Sequence, residues 1–420
     1  LFLWSSQYQD VVWLDSNSYS ASHSSYDAIL AVNAFTAIKT DYSHALKTLD
    51  DYIETTKDWI FGYISYDLKN GIENLSSTNH DRLAFPDLYF FQPQKLFFIK
   101  GTTIEMQYLN VVSDEIQNDI KDIKSFNRKE FASVSDLNIQ SKISKQTYLD
   151  KIENIISHLK RGDIYEMNFC QEFFIEEHSN FDAVKCFMDL NDISKPPFAC
   201  FFRHEHLHAV GASPERFIKK EGQKIISQPI KGTAKRHQNE DIDNILKNEL
   251  SQNPKEVSEN VMIVDLVRND LSKIAKKNTV SVDELCKIYT FEQVHQMIST
   301  VSVELETEVK MSDILRATFP MGSMTGAPKI SAMQIAEDLE STKRGLYSGC
   351  IGYISPDFNF DFNVVIRSIL HNSKTNYTSM MVGSAITIKS EPEKEYEECL
   401  IKAKALFEVL NKSIKAVEKL

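Results

Sequence analysis

The period of the apolar positions changes several times along the chain. In residues 1 to about 130 short strand-like runs dominate, "LFLW", "DVVWLD" and "PDLYFFQPQKLFFIKG", with one helical stretch near Tyr42 to Thr56. The polar segment "DIKSFNRKEFASVSDLNIQSKISK" reads as a connection. Beyond it Tyr148, Ile152, Ile155, Ile156 and Leu159 recur at helical spacing, and Arg161-Gly162 closes that helix. "DIYEMNFCQEFFIEE" follows as a strand. After a short helix and "KPP", strand-like runs return from Phe198 to Ile230, with Glu221-Gly222 as a hairpin turn. Residues 238–275 read as helical and 278–290 as strand-like. Helices precede and follow "FPMGSMTGAPK", a hairpin spans "YSGCIGYISPDFNFDFNVVIRSILHN", and the last helix begins after Pro392. Hairpins interrupted by helices argue for an α+β fold rather than a doubly wound one. There is no internal repeat and no low-complexity tract.

Composition narrows the class. The chain has 420 residues, 42% hydrophobic and 25% charged, an ordinary globular balance with length for a large core. Net charge is −12 without a long run of one sign, which argues against nucleic acid or an anionic membrane as partner. An anionic substrate stays compatible if its site gathers positive charge. The six cysteines form no C-x-x-C pair and read as reduced, buried thiols of a cytoplasmic protein, not as zinc ligands or disulfides. No apolar run reaches transmembrane length. The first residues lack the basic n-region and cleavage site of a secretory signal, and the missing initiator Met suggests a trimmed or incomplete start.

Several stretches carry candidate chemistry. Glu256 and Glu259 in "KEVSENVMIVDLVRNDL" are three apart on an expected helix and share a face. Glu395, Glu398 and Lys402 share a face of the last helix, while Tyr396, Leu400, Ala403, Phe407 and Leu410 form its apolar stripe. Two such helices could converge on a hard cation such as Mg²⁺, or could simply present solvated faces with a Glu398–Lys402 pair. "FPMGSMTGAPK" is no Walker loop; it either offers backbone N–H groups to a carboxylate or is a plain turn before a helix. Arg367, in an apolar strand-like run, needs a structural anion or a ligand carboxylate. Lys231 in "SQPIKGTAKR" sits where the chain should leave a sheet. Apolar neighbours would ease loss of its charge, as an amine nucleophile requires; the alternative is an edge lysine that blunts a strand. Glu215 in "ASPERF" opens the preceding strand and could be an acid beside that amine.

Taken together, "GDIYEMNF", "GASPERF", "QPIKGTAKR", "SENVMIVDLVRNDL", "FPMGSMTGAPK", "YSGCIGYI", "FNVVIRS" and "EYEECLIKAKAL" resemble, in order, the motifs of the chorismate-utilising enzyme family over residues 145–410. The resemblance implies an anthranilate synthase component I-like fold, two antiparallel sheets packed face to face with helices outside and the site between them. Residues 1–140, which match loosely, would contribute to the same sandwich, and 141–420 would form the chorismate-binding region. It further implies a Mg²⁺ site in which Glu259 and Glu398 are direct ligands and Glu256 and Glu395 act through water. Arg367 and Tyr347 match residues that hold the pyruvyl carboxylate, and Thr233, Gly383, Lys402 and Glu166 match positions near the substrate.

Family members that make anthranilate usually read "PIAGT" where this chain reads "PIKGT", the form typical of aminodeoxychorismate synthases. The resemblance therefore implies amination of chorismate at carbon 4 on the way to p-aminobenzoate and folate. Lys231 would be a covalent nucleophile, Glu215 the acid for the leaving hydroxyl, and a glutamine amidotransferase subunit the source of ammonia. Members that add water at carbon 2 carry a lysine where Glu166 stands, so hydration is not expected. The alternatives are anthranilate synthase component I and a non-catalytic chorismate-binding homologue. Departures from the family pattern motivate the latter: Gln296 replaces a histidine, His295 lies one position earlier and faces elsewhere, and Ala385 replaces the second glycine of "GxGI". The tryptophan-sensing "LLES" is absent, so no inhibition by tryptophan is expected.

Overall fold

The computed structural model describes residues 1–19, 26–126, 138–177, 181–306 and 308–410. Residues 127–137 of the expected polar connection lie outside the described residues, and the start of that connection closes a helix, Ile116–Ser125. The first ten strands are β1 (Asp10–Asp15), β2 (Ala28–Thr40), β3 (Ile60–Ile64), β4 (Leu88–Lys100), β5 (Thr103–Tyr108), β6 (Gln140–Ser141), β7 (Glu166–Ile175), β8 (Phe198–His204), β9 (Leu207–Ser213) and β10 (Arg216–Glu221). They are followed by β11 (Lys224–Gln228), β12 (Ile230–Lys235), β13 (Ser281–Thr290), β14 (Val294–Glu304), β15 (Gly326–Ala327), β16 (Cys350–Ile354), β17 (Phe360–Asn363), β18 (Ser368–Asn372) and β19 (Tyr377–Ile386). Every ladder between them is antiparallel.

The pairing builds two layers. One runs β5–β4–β2–β1–β8–β9–β18–β19–β7–β6, and the other runs β4–β3–β16–β17–β10–β11–β14, with β12 and β13 also on β14. The two expected sheets are thus one continuous hydrogen-bonded network, because β2 and β4 serve both layers. Ala28–Val32 pair with Ile99–Lys95; past an irregularity between Ala34 and Thr36, Thr36–Thr40 pair with Gln92–Leu88. At that corner Asn33 adopts a left-handed backbone, φ 65°, and its amide donates to Gln94 Oε1 at 3.1 Å. A bulge that bends a strand from one layer to the next is the usual way to turn such a corner.

Strand alternation then feeds two cores. Val11, Leu30, Phe201 and Val210 belong to the apolar cluster under helices Lys145–Arg161, Ala183–Ser194 and Pro392–Leu410. Their neighbours Val12, Ala31, Phe202 and Ala209 belong to the cluster between the layers. Burying one such large side chain contributes about 1.5–3 kcal/mol. "LFLW" departs from the strand expectation. It forms a helical turn, Phe2–Ser5, closed by Ser5 N–H to Leu1 O at 3.1 Å, and Trp4 packs edge-on against Tyr8 and Phe97. Four apolar residues are too few to carry a period. Among the described residues no helix is long and apolar enough to cross a membrane. All six cysteines are free, and five are buried.

The corner yields a stability test. Asn33→Gly should change stability by a few tenths of a kcal/mol, whereas Asn33→Val should lower it by about 1–3 kcal/mol, since a β-branched residue resists positive φ. The urea midpoint at unchanged slope reads this, and equal midpoints for the two variants would remove the corner's strain from the account.

Candidate active site

Two neighbouring segments cross between the layers, and the candidate site lies against them. Ser213-Pro214-Glu215 carries the chain from β9 to β10, and Val364 to Arg367 carries it from β17 to β18. Val364 N–H donates to Glu215 O and Ala212 N–H to Arg367 O, both at 3.0 Å, so each crossing completes the other's backbone pairing. Arg367 lies in this bend with φ 53°, not on the strand expected from its apolar neighbours. A cleft of about 520 Å³ opens beside the crossings. Lys231, Glu215, Arg367, Tyr347, Thr233, Gly383, Lys402, Glu256, Glu259 and Glu398 line it; Glu166 and Glu395 do not.

Lys231 reaches the cleft from an irregular strand. The β12–β14 register shifts between Ile230 and Thr233, and Gly232 takes φ 93°, a conformation that costs other residues dearly. The bulge sends the Lys231 side chain to Glu166 of β7, Nζ donating to Oε1 at 2.8 Å. This corrects the expectation that apolar surroundings discharge the lysine. Burial pulls its pKa down most, but the Glu166 carboxylate, joined by Glu259 and Glu215, makes the net shift upward. Local sequence shows the apolar neighbours and hides a carboxylate brought in from another strand. Glu215 is 5% exposed, and burial pushes its carboxyl up to about 7 against the pull of Ser323, Lys231 and a backbone N–H at Ile230.

Two helices bring the other carboxylates. Helix Pro254–Ser272 begins at Asn253, whose side chain accepts from the N–H groups of Lys255 and Glu256, with Pro254 in the first turn. Asn260 ties it to β14 by donating to Met297 O at 3.2 Å. Helix Pro392–Leu410 buries Tyr396, Cys399, Ala403, Phe407 and Leu410 and turns Glu398 and Lys402 to the cleft. Lys402 pairs with Glu398 at 2.6 Å and donates to Gly383 O at 2.9 Å. Lys255 stands in the field of all four glutamates, which outweigh its burial and raise its pKa. Glu259 Oε1 and Glu395 Oε2 are buried with no hydrogen-bond partner. Lys255 Nζ stands 3.8 Å from Glu259 Oε1, and carboxylate oxygens without a hydrogen bond fit a hard cation such as Mg²⁺, which takes one or two protein carboxylates and fills its shell with water. Among the described residues no three His, Cys, Asp or Glu side chains are gathered into a preformed cage.

The remaining wall explains which positions are small. A Cβ on Gly383 would stand 2.5 Å from Asn168 Oδ1 and 2.7 Å from Cys170 Sγ, so glycine lets β19 lie against β7 there. Ala385 pairs with Asn168 and lines the cleft without blocking it. Gln296 lines the cleft, while His295 turns to Asp243 Oδ1 at 3.1 Å and Thr290 Oγ1 at 3.0 Å, as strand alternation requires. The loop in "FPMGSMTGAPK" contributes Ser323 and Met324. Sequence reasoning missed Lys255 and Asn168. Asn168 was within reach, since it is two residues from Glu166 on the same strand and shares its face. The Arg367 guanidinium has no ion pair or hydrogen bond among the described residues, and Tyr347 and Glu398 act on it at longer range, which leaves it open to an anion.

The chain is similar in sequence and in fold to known proteins. A family model described as chorismate binding enzyme matches residues 4–408. Aminodeoxychorismate synthase component 1 of Escherichia coli (strain K12) is 32% identical over 365 residues, covering 85% of this chain and 76% of that protein. Anthranilate synthase component 1 of Lactococcus lactis subsp. lactis (strain IL1403) is 31% identical over 360 residues, covering 83% and 78%. The solved anthranilate synthase component I from Streptococcus pneumoniae TIGR4 shares the fold with a TM-score of 0.79 at 24% identity, over 90% of this chain and 91% of that one.

Glu215 makes stability depend on pH. Its folded pKa of about 7 lies above the ordinary 4.5, so the unfolded chain releases this proton first and stability falls as pH rises between those values. The full effect is roughly 3 kcal/mol, from about 1.4 kcal/mol per pH unit. Glu215→Gln should therefore melt higher than the parent at pH 8 and lose that advantage at pH 4.5; an advantage equal at both pH values would contradict the buried-acid reading.

Proposed function

The chain belongs to the chorismate-binding enzyme family, and within it we propose that the protein aminates chorismate at carbon 4. The product is 4-amino-4-deoxychorismate, as in relatives named aminodeoxychorismate synthase component 1. The observation that carries this reading is one wall of the cleft that presents both a lysine amine, Lys231, and a buried carboxyl held up to about 7, Glu215. A nucleophile and an acid of those types suit a two-step displacement.

Chorismate is a dianion. Arg367, whose guanidinium has no ion pair or hydrogen bond among the described residues, takes the side-chain carboxylate with Tyr347; a guanidinium fits a carboxylate with two parallel hydrogen bonds. Thr233, Lys402 and the flat surface at Gly383 complete the walls. A bound Mg²⁺, held by Glu259 and Glu398 directly and by Glu256 and Glu395 through water, would neutralise the ring carboxylate and polarise carbon 1. The Lys231 amine bonds to ring carbon 2 as the carbon 4–oxygen bond breaks, and Glu215 gives its proton to the departing hydroxyl, which leaves as water. Ammonia then bonds to carbon 4 as the carbon 2–Nζ bond breaks and the lysine returns. The word "component" in the relatives' names supports a partner subunit; we assign it the role of a glutamine amidotransferase that supplies the ammonia.

Product identity tests the reading. With chorismate, Mg²⁺ and excess ammonium, mass-resolved chromatography should find 4-amino-4-deoxychorismate. Anthranilate instead would favour the second activity named among the relatives, and chorismate binding without product would favour a silent homologue. Lys231→Ala should lower carbon 4 amination by at least about 10²-fold. The parent's rate should fall above pH 7 as Glu215 loses its proton; a rate that rises steadily to pH 9 would remove Glu215 as the acid.

A further inference from the structure

The family resemblance sets Glu166 near the substrate, but the fold places its carboxylate outside the cleft lining. It stands behind Lys231, which does line the cleft. The Glu166 side chain is 2% exposed and that of Lys231 10%. One carboxylate oxygen accepts from Lys231 at 2.8 Å; the other, Oε2, is buried with no hydrogen-bond partner. Among the described residues Glu166 is the one carboxylate within ion-pair distance of Lys231. Glu215 before β10, Glu256 and Glu259 on helix Pro254–Ser272 and Glu398 on helix Pro392–Leu410 act on the lysine at longer range.

A protonated lysine has no lone pair and cannot attack carbon. The ammonium must be discharged within a cleft that a bound substrate would close off from bulk water. We propose that Glu166 is the base that discharges Lys231, taking its proton along the existing hydrogen bond before attack and returning it when the lysine leaves. The inference rests on the proposed Lys231 chemistry. The balance is closed. Lys231–NH₃⁺ and Glu166–COO⁻ become amine and carboxylic acid, and the amine lone pair forms the bond to carbon 2. Glu215 supplies the proton that turns the departing hydroxyl into water, and the new secondary ammonium returns one proton to Glu215. When ammonia displaces Nζ, the bond pair goes back to nitrogen and Glu166 restores its proton, while the new carbon 4 ammonium gives up one proton that recharges the Lys231 amine to –NH₃⁺. Placement supports this over a substrate contact, since Lys231 lines the cleft and Glu166 does not.

Glu166→Gln keeps the shape and cannot take the proton. The test is single-turnover formation of the Lys231–chorismate adduct, read by peptide mass in Mg²⁺-containing buffer from pH 6 to 9, with chorismate affinity measured alongside. We expect the glutamine variant to be slower by about 10²–10⁴-fold near neutrality, with chorismate Kd unchanged within about twofold. We also expect its rate relative to the parent to climb by up to about tenfold per pH unit, because its lysine must now lose the proton to solvent. The ratio cancels the alkaline loss due to Glu215. A ratio flat with pH, or a loss accounted for by weaker binding, would make Glu166 a structural partner and overturn the inference. Glu166→Asp, which retains a carboxylate, should keep the ratio flat and recover part of the rate; it decides the matter if the glutamine variant fails to fold, and a sloping ratio there would overturn the proposal. An adduct that forms equally fast in the parent and the glutamine variant overturns this inference alone, whereas no Lys231 adduct in the parent removes the proposed function as well.

Discussion

Two strands that change layers side by side set the terms for the rest of the molecule. Backbone groups inside a sandwich must be paired, and a chain that leaves one sheet for the other gives up its ladder partners on the way. Here the β9–β10 and β17–β18 crossings pair with each other, through Val364 to Glu215 and Ala212 to Arg367. Two residues that line the candidate site, Glu215 and Arg367, therefore sit on backbone fixed from both sides. The left-handed backbone of Arg367 is tolerable because sheet structure on either side over-determines it. A cleft built on such crossings holds its groups more firmly than one built on surface loops.

The charge pattern follows from that placement. The chain carries a net −12, yet its cleft gathers Lys231, Lys255, Arg367 and Lys402 among glutamates. A buried ion pair is weak evidence for stability, since apolar residues of similar volume can do as well, while removal of one partner leaves a costly lone charge. The Lys231–Glu166 pair is 10% and 2% exposed. Stability alone gives no reason to keep it there; the proposed proton transfer across the 2.8 Å hydrogen bond does. Lys255 plays a different part, as a cation that tempers four carboxylates at once.

Much of this was legible in the sequence because it is local. The helix from Lys145 to Arg161 announces itself by apolar spacing and a terminal glycine, and Glu256 and Glu259 share a face by counting alone. The ordered motifs point to one cleft, and ten of the residues they single out line it. What failed was non-local. The shared corner strands, the crossing at Arg367 and the carboxylate behind Lys231 each depend on which segments meet, and pattern carries no record of that. "LFLW" failed for the opposite reason: four residues hold too little period to separate a strand from a helical turn.

Acid–base work at neutral pH poses a contradiction, since the acid must hold a proton that a nearby amine would readily take. Here the environment separates the tasks. Glu215 is buried without an ion pair, so loss of its proton is disfavoured until about pH 7. Glu166 is equally buried but has the lysine on one oxygen. Of the two carboxyl groups, Glu215 is therefore the one suited to the proposed acid, and Glu166, hydrogen-bonded to the amine, is the one placed for the proposed proton transfer. If Lys231 were paired with Glu215 instead, the acid would be spent before the hydroxyl left. The bulge at Gly232 accompanies the turn of the lysine toward Glu166 of β7.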